Sequence, residues 1–276
     1  AQVTCEIAAN RVSGDAGPID PEIRWVRFFR EDGSPKLLIH NHGIHGVSVG
    51  VPYQHLVSGD WPGAANRRIQ ERQLADFAIF LQGASGDINC SCPPEANKHG
   101  PASEAIAEKY VADLARGVNE GSAIDVSRLG VVFETHTLPV IDQTPAELRQ
   151  DAAKLLDVTS GMSPDHRGWS ANIAARLEEN AMLREQGQSL CSSHDFQVLT
   201  IGDTILHFVP GELFIGPGMK LLATSSSGFP MISTCSNGNG GYFFSRECAE
   251  KYPDISLYSD RQLFGYYEIY GYMHGH

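Results

Sequence analysis

The sequence predicts an α/β (or α+β) fold, a mixed β-sheet flanked by helices, and three observations carry that expectation. Short apolar runs bounded by Gly, Pro and polar residues read as strands. Segments with apolar residues at helical spacing alternate with them. Two strand-like runs are separated only by Gly202-Asp203, the signature of a tight hairpin, so part of the sheet is antiparallel. In chain order, residues 36–40 (KLLIH) form a buried strand after the polar turn Asp32-Gly33-Ser34-Pro35. Residues 77–81 (FAIFL) form a second, and the glycine-rich stretch 43–63 between them reads as loops. Ile106, Tyr110, Val111 and Leu114 place a helix over 103–116, stopped by Gly117. Residues 129–133 are a strand. Thr144-Pro145-Ala146-Glu147 is a capping box with proline at the first helical position, opening a helix to about 156. A second helix covers 170–186 and ends at Gly187. Strands 196–201 and 204–209 form the hairpin. Pro210-Gly211-Glu212 then turns the chain into a helix over 213–224, and 231–235 is the last strand.

The 276 residues are 42% hydrophobic and 20% charged, an ordinary globular balance. The formal net charge of −12 repels phosphates and argues against a nucleic-acid partner. No stretch approaches the roughly 20 apolar residues of a membrane span. No targeting segment is visible, and without an initiator Met the gene product is expected to begin upstream. The six cysteines (Cys5, Cys90, Cys92, Cys191, Cys235 and Cys248) lack zinc-knuckle spacing and read as buried thiols with at most one disulfide. The compartment stays open.

Four segments can carry chemistry. In Ile39-His40-Asn41-His42-Gly43-Ile44-His45-Gly46, His40 and His42 share one face of a strand and His45 falls beyond it, in the glycine loop. Zinc ligation and hydrogen-bonded core histidines both remain open from this motif alone. Leu81-Gln82-Gly83-Ala84-Ser85-Gly86-Asp87-Ile88-Asn89 runs from a strand into a glycine turn. Asp87 stands where a serine-hydrolase elbow needs glycine, so Ser85 fails that pattern. The turn is either structural or a donor of backbone N–H groups to an anion. Glu212 follows an apolar strand directly, where a carboxylate needs a partner, a cation or a helix N-terminus. Tyr242 follows the flexible loop Cys235-Ser236-Asn237-Gly238-Asn239-Gly240-Gly241, where packing is the ordinary role.

The order of these segments resembles the neutral/alkaline ceramidase family. Asn41-His42-Gly43-Ile44-His45, then Ser58-Gly59-Asp60-Trp61-Pro62-Gly63, then Gly83-Ala84-Ser85-Gly86-Asp87-Ile88 follow that family's succession of a strand-end histidine, an aspartate-containing segment and a Gly-Asp turn. The hairpin ending in Pro210-Gly211-Glu212 resembles the strand pair that carries its metal-binding glutamate. Residues 237–246 resemble its segment with a zinc tyrosine. The resemblance runs from about Pro18 to Glu268. It implies a zinc-dependent hydrolase with His45, Glu212 and Tyr242 as Zn²⁺ ligands, and Tyr267 near the substrate carbonyl. Two departures qualify it. The family's other zinc histidine lies in an upstream H-x-H-S-G-like motif, and nothing before His45 here contains one. The nucleophilic serine is replaced by Asn89. The resemblance therefore implies a ceramidase-like hydrolase rather than a true ceramidase. The chain reads as one domain, 1–276, the C-terminal portion of such an enzyme, with a partner chain or upstream segment supplying the further histidine.

The chemistry expected is attack on the carbonyl of a small-molecule amide or ester by metal-activated water. Asn89 donates to the oxyanion, and Asp87 orients the turn or holds a histidine. A non-catalytic subunit that keeps the fold is the alternative, and a metal-free hydrolase using Ser85 or Cys90 is a second.

Overall fold

The computed structural model describes residues 1–10, 17–49, 55–91, 102–139, 143–238 and 240–245. Along the chain lie β1 (Gln2–Thr4), β2 (Ala8–Asn10), β3 (Glu22–Phe29), β4 (Pro35–His42), α1 (Asp60–Glu71), β5 (Phe77–Gln82) and β6 (Ile88–Cys90). There follow α2 (Ala102–Val118), β7 (Leu129–Pro139), α3 (Pro145–Thr159), α4 (Pro164–Glu185), β8 (Cys191–Ile201), β9 (Thr204–Phe208), β10 (Glu212–Leu213), α5 (Ile215–Thr224), β11 (Phe229–Ser233) and β12 (Tyr242–Phe243). The strands make two four-stranded sheets, ordered β1-β3-β4-β5 and β11-β9-β8-β7, and two ribbons, β10-β12 and β2-β6.

Both large sheets are mixed, as expected, but they are two and not one. β3 runs antiparallel to β4, and β4 parallel to β5. β7, β8 and β9 are antiparallel neighbours, while β9 and β11 are parallel. Parallel neighbours need a crossover long enough to span the sheet, normally a helix. α1 supplies it between β4 and β5, and α5 between β9 and β11.

α1 lies partly inside a stretch the sequence reads as loops. Its N-cap, Gly59, makes no side-chain cap, so the usual start signal is missing. Its buried face is mostly small, Ala64 and Ala65 between Trp61 and Ile69. Its polar face pairs with α2: Arg67 and Arg68 reach Glu104 at 2.7 and 2.9 Å, and Arg72 pairs with Glu108. The capping box is present as predicted: the Thr144 side chain accepts from the Glu147 backbone, and the Glu147 side chain accepts from Thr144 N–H. Gly117 sits inside α2 rather than stopping it.

The main core packs α1 and α2 on one face of the first sheet, around Trp61, Tyr110, Ile23, Leu38 and Leu114. The alternation of β4 sends Leu38, His40 and His42 to that face. Both histidines are fully buried and share Tyr110, which meets His40 Nδ1 at 3.0 Å and lies tilted against the His42 ring. On the opposite face, Asn41 Nδ2 donates to Leu81 O and to Ile232 O, both at 2.7 Å. Thr234 N–H donates to Gln82 O at 2.7 Å. These bonds tie the carboxyl ends of β4 and β5 to β11. A satellite core joins α3 and α4 through Leu148, Leu155 and Leu177.

Of the cysteines, Cys5 is buried, Cys90 half-buried, and Cys191 and Cys235 exposed, so the expectation of buried thiols holds only for Cys5 among the described residues. Cys92 and Cys248 lie outside them. No described helix is long and apolar enough to cross a membrane.

Candidate functional site

The site is built where strand ends meet. β4 runs out at His42, and His45 lies three residues on. The half-buried β6 locks it. Ile88 O accepts from His45 N–H at 3.1 Å and from its ring Nδ1 at 3.0 Å. On the other side the His45 carbonyl accepts from the Trp61 indole of α1 at 2.9 Å and from the Cys90 thiol at 3.1 Å. Asp60 holds the loop that follows, accepting from Ser48 N–H and Val49 N–H at 2.9 Å. Backbone, carbonyl and ring are all fixed, so Nε2 has one direction to point. It meets Glu212 Oε2 at 2.6 Å.

Glu212 does not start a helix. It sits on β10, and α5 begins only at Ile215, so a helix N-terminus does not explain its carboxylate. Two glycines let neighbouring chains close on it. A Cβ on Gly86 would lie 2.8 Å from Glu212 O, and one on Gly211 would lie 2.4 Å from Gly241 O. Through these approaches Gly86 N–H donates to Leu213 O at 2.9 Å and Glu212 N–H to Gly241 O at 2.7 Å. β10 pairs in parallel with β12, and the register sets Glu212 opposite Tyr242. Opposed residues of paired strands share a face. The Tyr242 ring packs edge-on against Phe214, with centroids 6.0 Å apart.

The structure thus joins His45 to Glu212 side chain to side chain, and sets Tyr242 beside Glu212 through the backbone. Among the described residues, no three of His, Cys, Asp and Glu converge. Ile88 O can only accept, so Nδ1 carries a proton. Nε2 then faces a carboxylate at 2.6 Å, a direct hydrogen-bonded contact with a proton between ring and carboxyl. Nδ1 donating to a backbone carbonyl is the usual support behind a metal-bound imidazole, leaving the Nε2 lone pair free to ligate. An imidazole and a carboxylate are both donors that zinc accepts.

The other expected residues divide. Asp87 is a structural clamp: Oδ2 accepts from Asn10 Nδ2 at 3.0 Å, and Oδ1 from Ile215 N–H at 2.7 Å at the start of α5. It orients the turn. Asn89 lies on β6 next to Ile88, half-buried and opposite Ala9 of β2. The turn's Ile88 N–H is used internally, donating to Ser85 O at 2.8 Å, and that of Gly86 donates to Leu213 O, which removes both as anion donors. Ser85 is 1% exposed, and no histidine hydrogen-bonds its side chain among the described residues. Tyr267 lies outside the described residues. Of the strand histidines, His40 and His42 are core groups: burial holds both neutral, pushing each down to about 4.

Two contributors carry no sequence signal. Asn10 holds Asp87 across 77 positions of chain. Cys235 lies close enough to Glu212 that, after loss of solvent around the sulfur, the carboxylate is the next cause pushing its thiol up.

No protein-family model matches the sequence, and no curated protein matches it. Solved structures do. The chain is similar to neutral ceramidase from Pseudomonas aeruginosa, with a TM-score of 0.63 and 15% identity, covering 99% of this chain and 50% of that one. It is similar to a ceramidase complexed with C2, with a TM-score of 0.60 and 16% identity, covering 99% of this chain and 51% of that one. The chain spans about half the length of these structures. At such identities the likeness is one of fold, and this chain carries a ceramidase-like fold over half of theirs.

Proposed function

We propose that this chain forms the centre of a zinc-dependent hydrolase of small-molecule amides or esters, with His45, Glu212 and Tyr242 as its metal ligands. The observation that carries the reading is the contact of His45 Nε2 with Glu212 Oε2, an imidazole on a carboxylate at the register position of Tyr242. The ceramidase-like fold supports amide hydrolysis as the reaction class. Zinc, when bound, supplies Lewis acidity and lowers the pKa of water from ~16 toward ~7. The rest belongs to the chain. Ile88 O and Trp61 fix the imidazole so that it presents one nitrogen. Gly86 and Gly211 hold the Glu212 strand against its neighbours. The Asn89 amide donates to the developing oxyanion, worth about 10²–10³-fold in rate. A further zinc histidine comes from a partner chain or upstream segment.

The test is metal content and turnover of the complete protein. Zinc bound stoichiometrically by the wild type is expected to fall away in His45→Ala and in Glu212→Ala. Asn89→Ala is expected to keep zinc and lose about 10²–10³ in kcat. Stoichiometric zinc in both ligand variants would sink the assignment. A non-catalytic subunit is the second reading, favoured by the ligand set being one histidine short among the described residues. Bound zinc without turnover in the complete protein would select it.

A further inference from the structure

We infer that the free edge of β7 is a docking site for a β-strand of another, non-identical polypeptide segment, the one that extends this half of the fold. The inference stands on the sheet and does not require the metal reading.

β7 is 11 residues long and pairs with β8 without a break, from Leu129↔Ile201 to Pro139↔Cys191. It ends the sheet order, so its other edge meets no strand among the described residues. Natural sheets blunt such edges with charged side chains, lysine above all, and with bulges, proline or short length, and β7 carries one exposed carboxylate, Glu134. β7 (LGVVFETHTLP) has no lysine and no bulge, and its proline is the last residue. The edge is also apolar. Leu129, Val131 and Phe133 share one face at 75%, 62% and 56% exposure, and Val132 on the other face is 55% exposed. Consecutive apolar residues on an exposed edge, on both faces, are a surface awaiting a cover.

Charge and size choose the occupant. A second copy would bring another net −12 against this chain's −12, and long-range repulsion opposes it. Glu134 on the strand's other face is already paired, its Oε2 3.0 Å from His136 Nε2, and leaves the stripe itself uncharged. The fold itself has more polypeptide to place: 99% of this chain matches only 50% and 51% of the two ceramidase chains. The edge is also continuous with the candidate centre. The His136 ring packs on Phe196, and Phe196 on Phe243, the neighbour of Tyr242. A strand added at β7 would extend the sheet that backs β12. The occupant is therefore an extended segment with alternating β-branched or aromatic residues toward Leu129, Val131 and Phe133.

The experiment is backbone hydrogen exchange on the protein isolated from cells carrying its complete gene, with any polypeptide that stays bound. In an edge strand, alternate amides point outward. Those outward amides of β7 are expected to exchange at least about tenfold more slowly than the loop at 119–128, with a non-identical segment present. The double variant Val131→Lys with Phe133→Lys is expected to lose that protection while β8 and β9 keep theirs. Outward amides exchanging like the loop would overturn the proposal. So would a complex of two identical chains paired through β7. Zinc counted on the same samples separates the readings: bound zinc with an unprotected edge removes the docking site and leaves the centre, and the converse removes the centre alone.

Discussion

At the scale of single residues, the chain treats its histidines in two ways. His45 is held at its backbone, carbonyl and Nδ1, and turns one nitrogen to a carboxylate. His40 and His42, only a few residues earlier, are sealed under α2 with Tyr110 and kept neutral by burial, down to about 4. His40 is satisfied by Tyr110 and Asn66, at 3.0 and 2.7 Å. His42 Nδ1 donates to Glu22 O, and its Nε2 has no hydrogen-bond partner among the described residues. The pair predicts an acid limit to stability. In the unfolded chain both titrate near ~6.5. Below that pH the unfolded state takes up two protons that the folded state refuses until about 4. Stability from this source is therefore complete above ~6.5 and is lost as pH falls toward 4. The slope approaches ~2.7 kcal/mol per pH unit for two protons. Urea midpoints at pH 7, 6 and 5 should fall in that order, and a midpoint unchanged across this range would contradict the burial.

At the scale of elements, the candidate centre depends on β10 and β12, two residues each. Elements so short have little pairing energy of their own and rely on close backbone approach. Gly211 makes that approach possible: a Cβ there would meet Gly241 O and the Phe243 ring, both at 2.4 Å. Gly211→Ala is expected to part β12 from β10 and cost about 1–3 kcal/mol. Because Tyr242 rides on β12, zinc occupancy should fall in the same variant. Thermal unfolding with metal analysis reads both, and a variant as stable and as loaded as the wild type would rule out this coupling. The same brevity hid these strands from sequence reasoning. Two residues cannot show period-2 alternation, so Glu212 reads as the start of the following helix. α1 escaped for another reason. Its small buried face and uncapped start leave no local signal, and its arginines are explained only by Glu104 and Glu108 of α2.

At the scale of the whole molecule, the two sheets meet through Asn41 and Thr234, while the α3–α4 pair closes a core of its own. Leu177→Ala, at a fully buried position in that satellite core, is expected to cost about 2–5 kcal/mol. The loss should fall on the helical pair and leave the His45–Glu212 contact, which belongs to the other core. Hydrogen exchange confined to 145–185, with zinc content unchanged, would show that separation; loss of zinc would show the cores to be coupled. The sequence by itself determined the alternation of strands and helices, the hairpin at Gly202-Asp203 and the capping box at Thr144. All of these rest on local periodicity, turn chemistry, or motifs short enough to survive in linear order. Only the tertiary structure decided that the strands divide into two sheets and that Asp87 is a clamp for α5. It also decided that His40 and His42 are core groups while His45 reaches a carboxylate 167 positions away. Such outcomes are fixed by which strand ends pack together and by how much solvent that packing removes, and neither quantity is written in the spacing of residues along the chain.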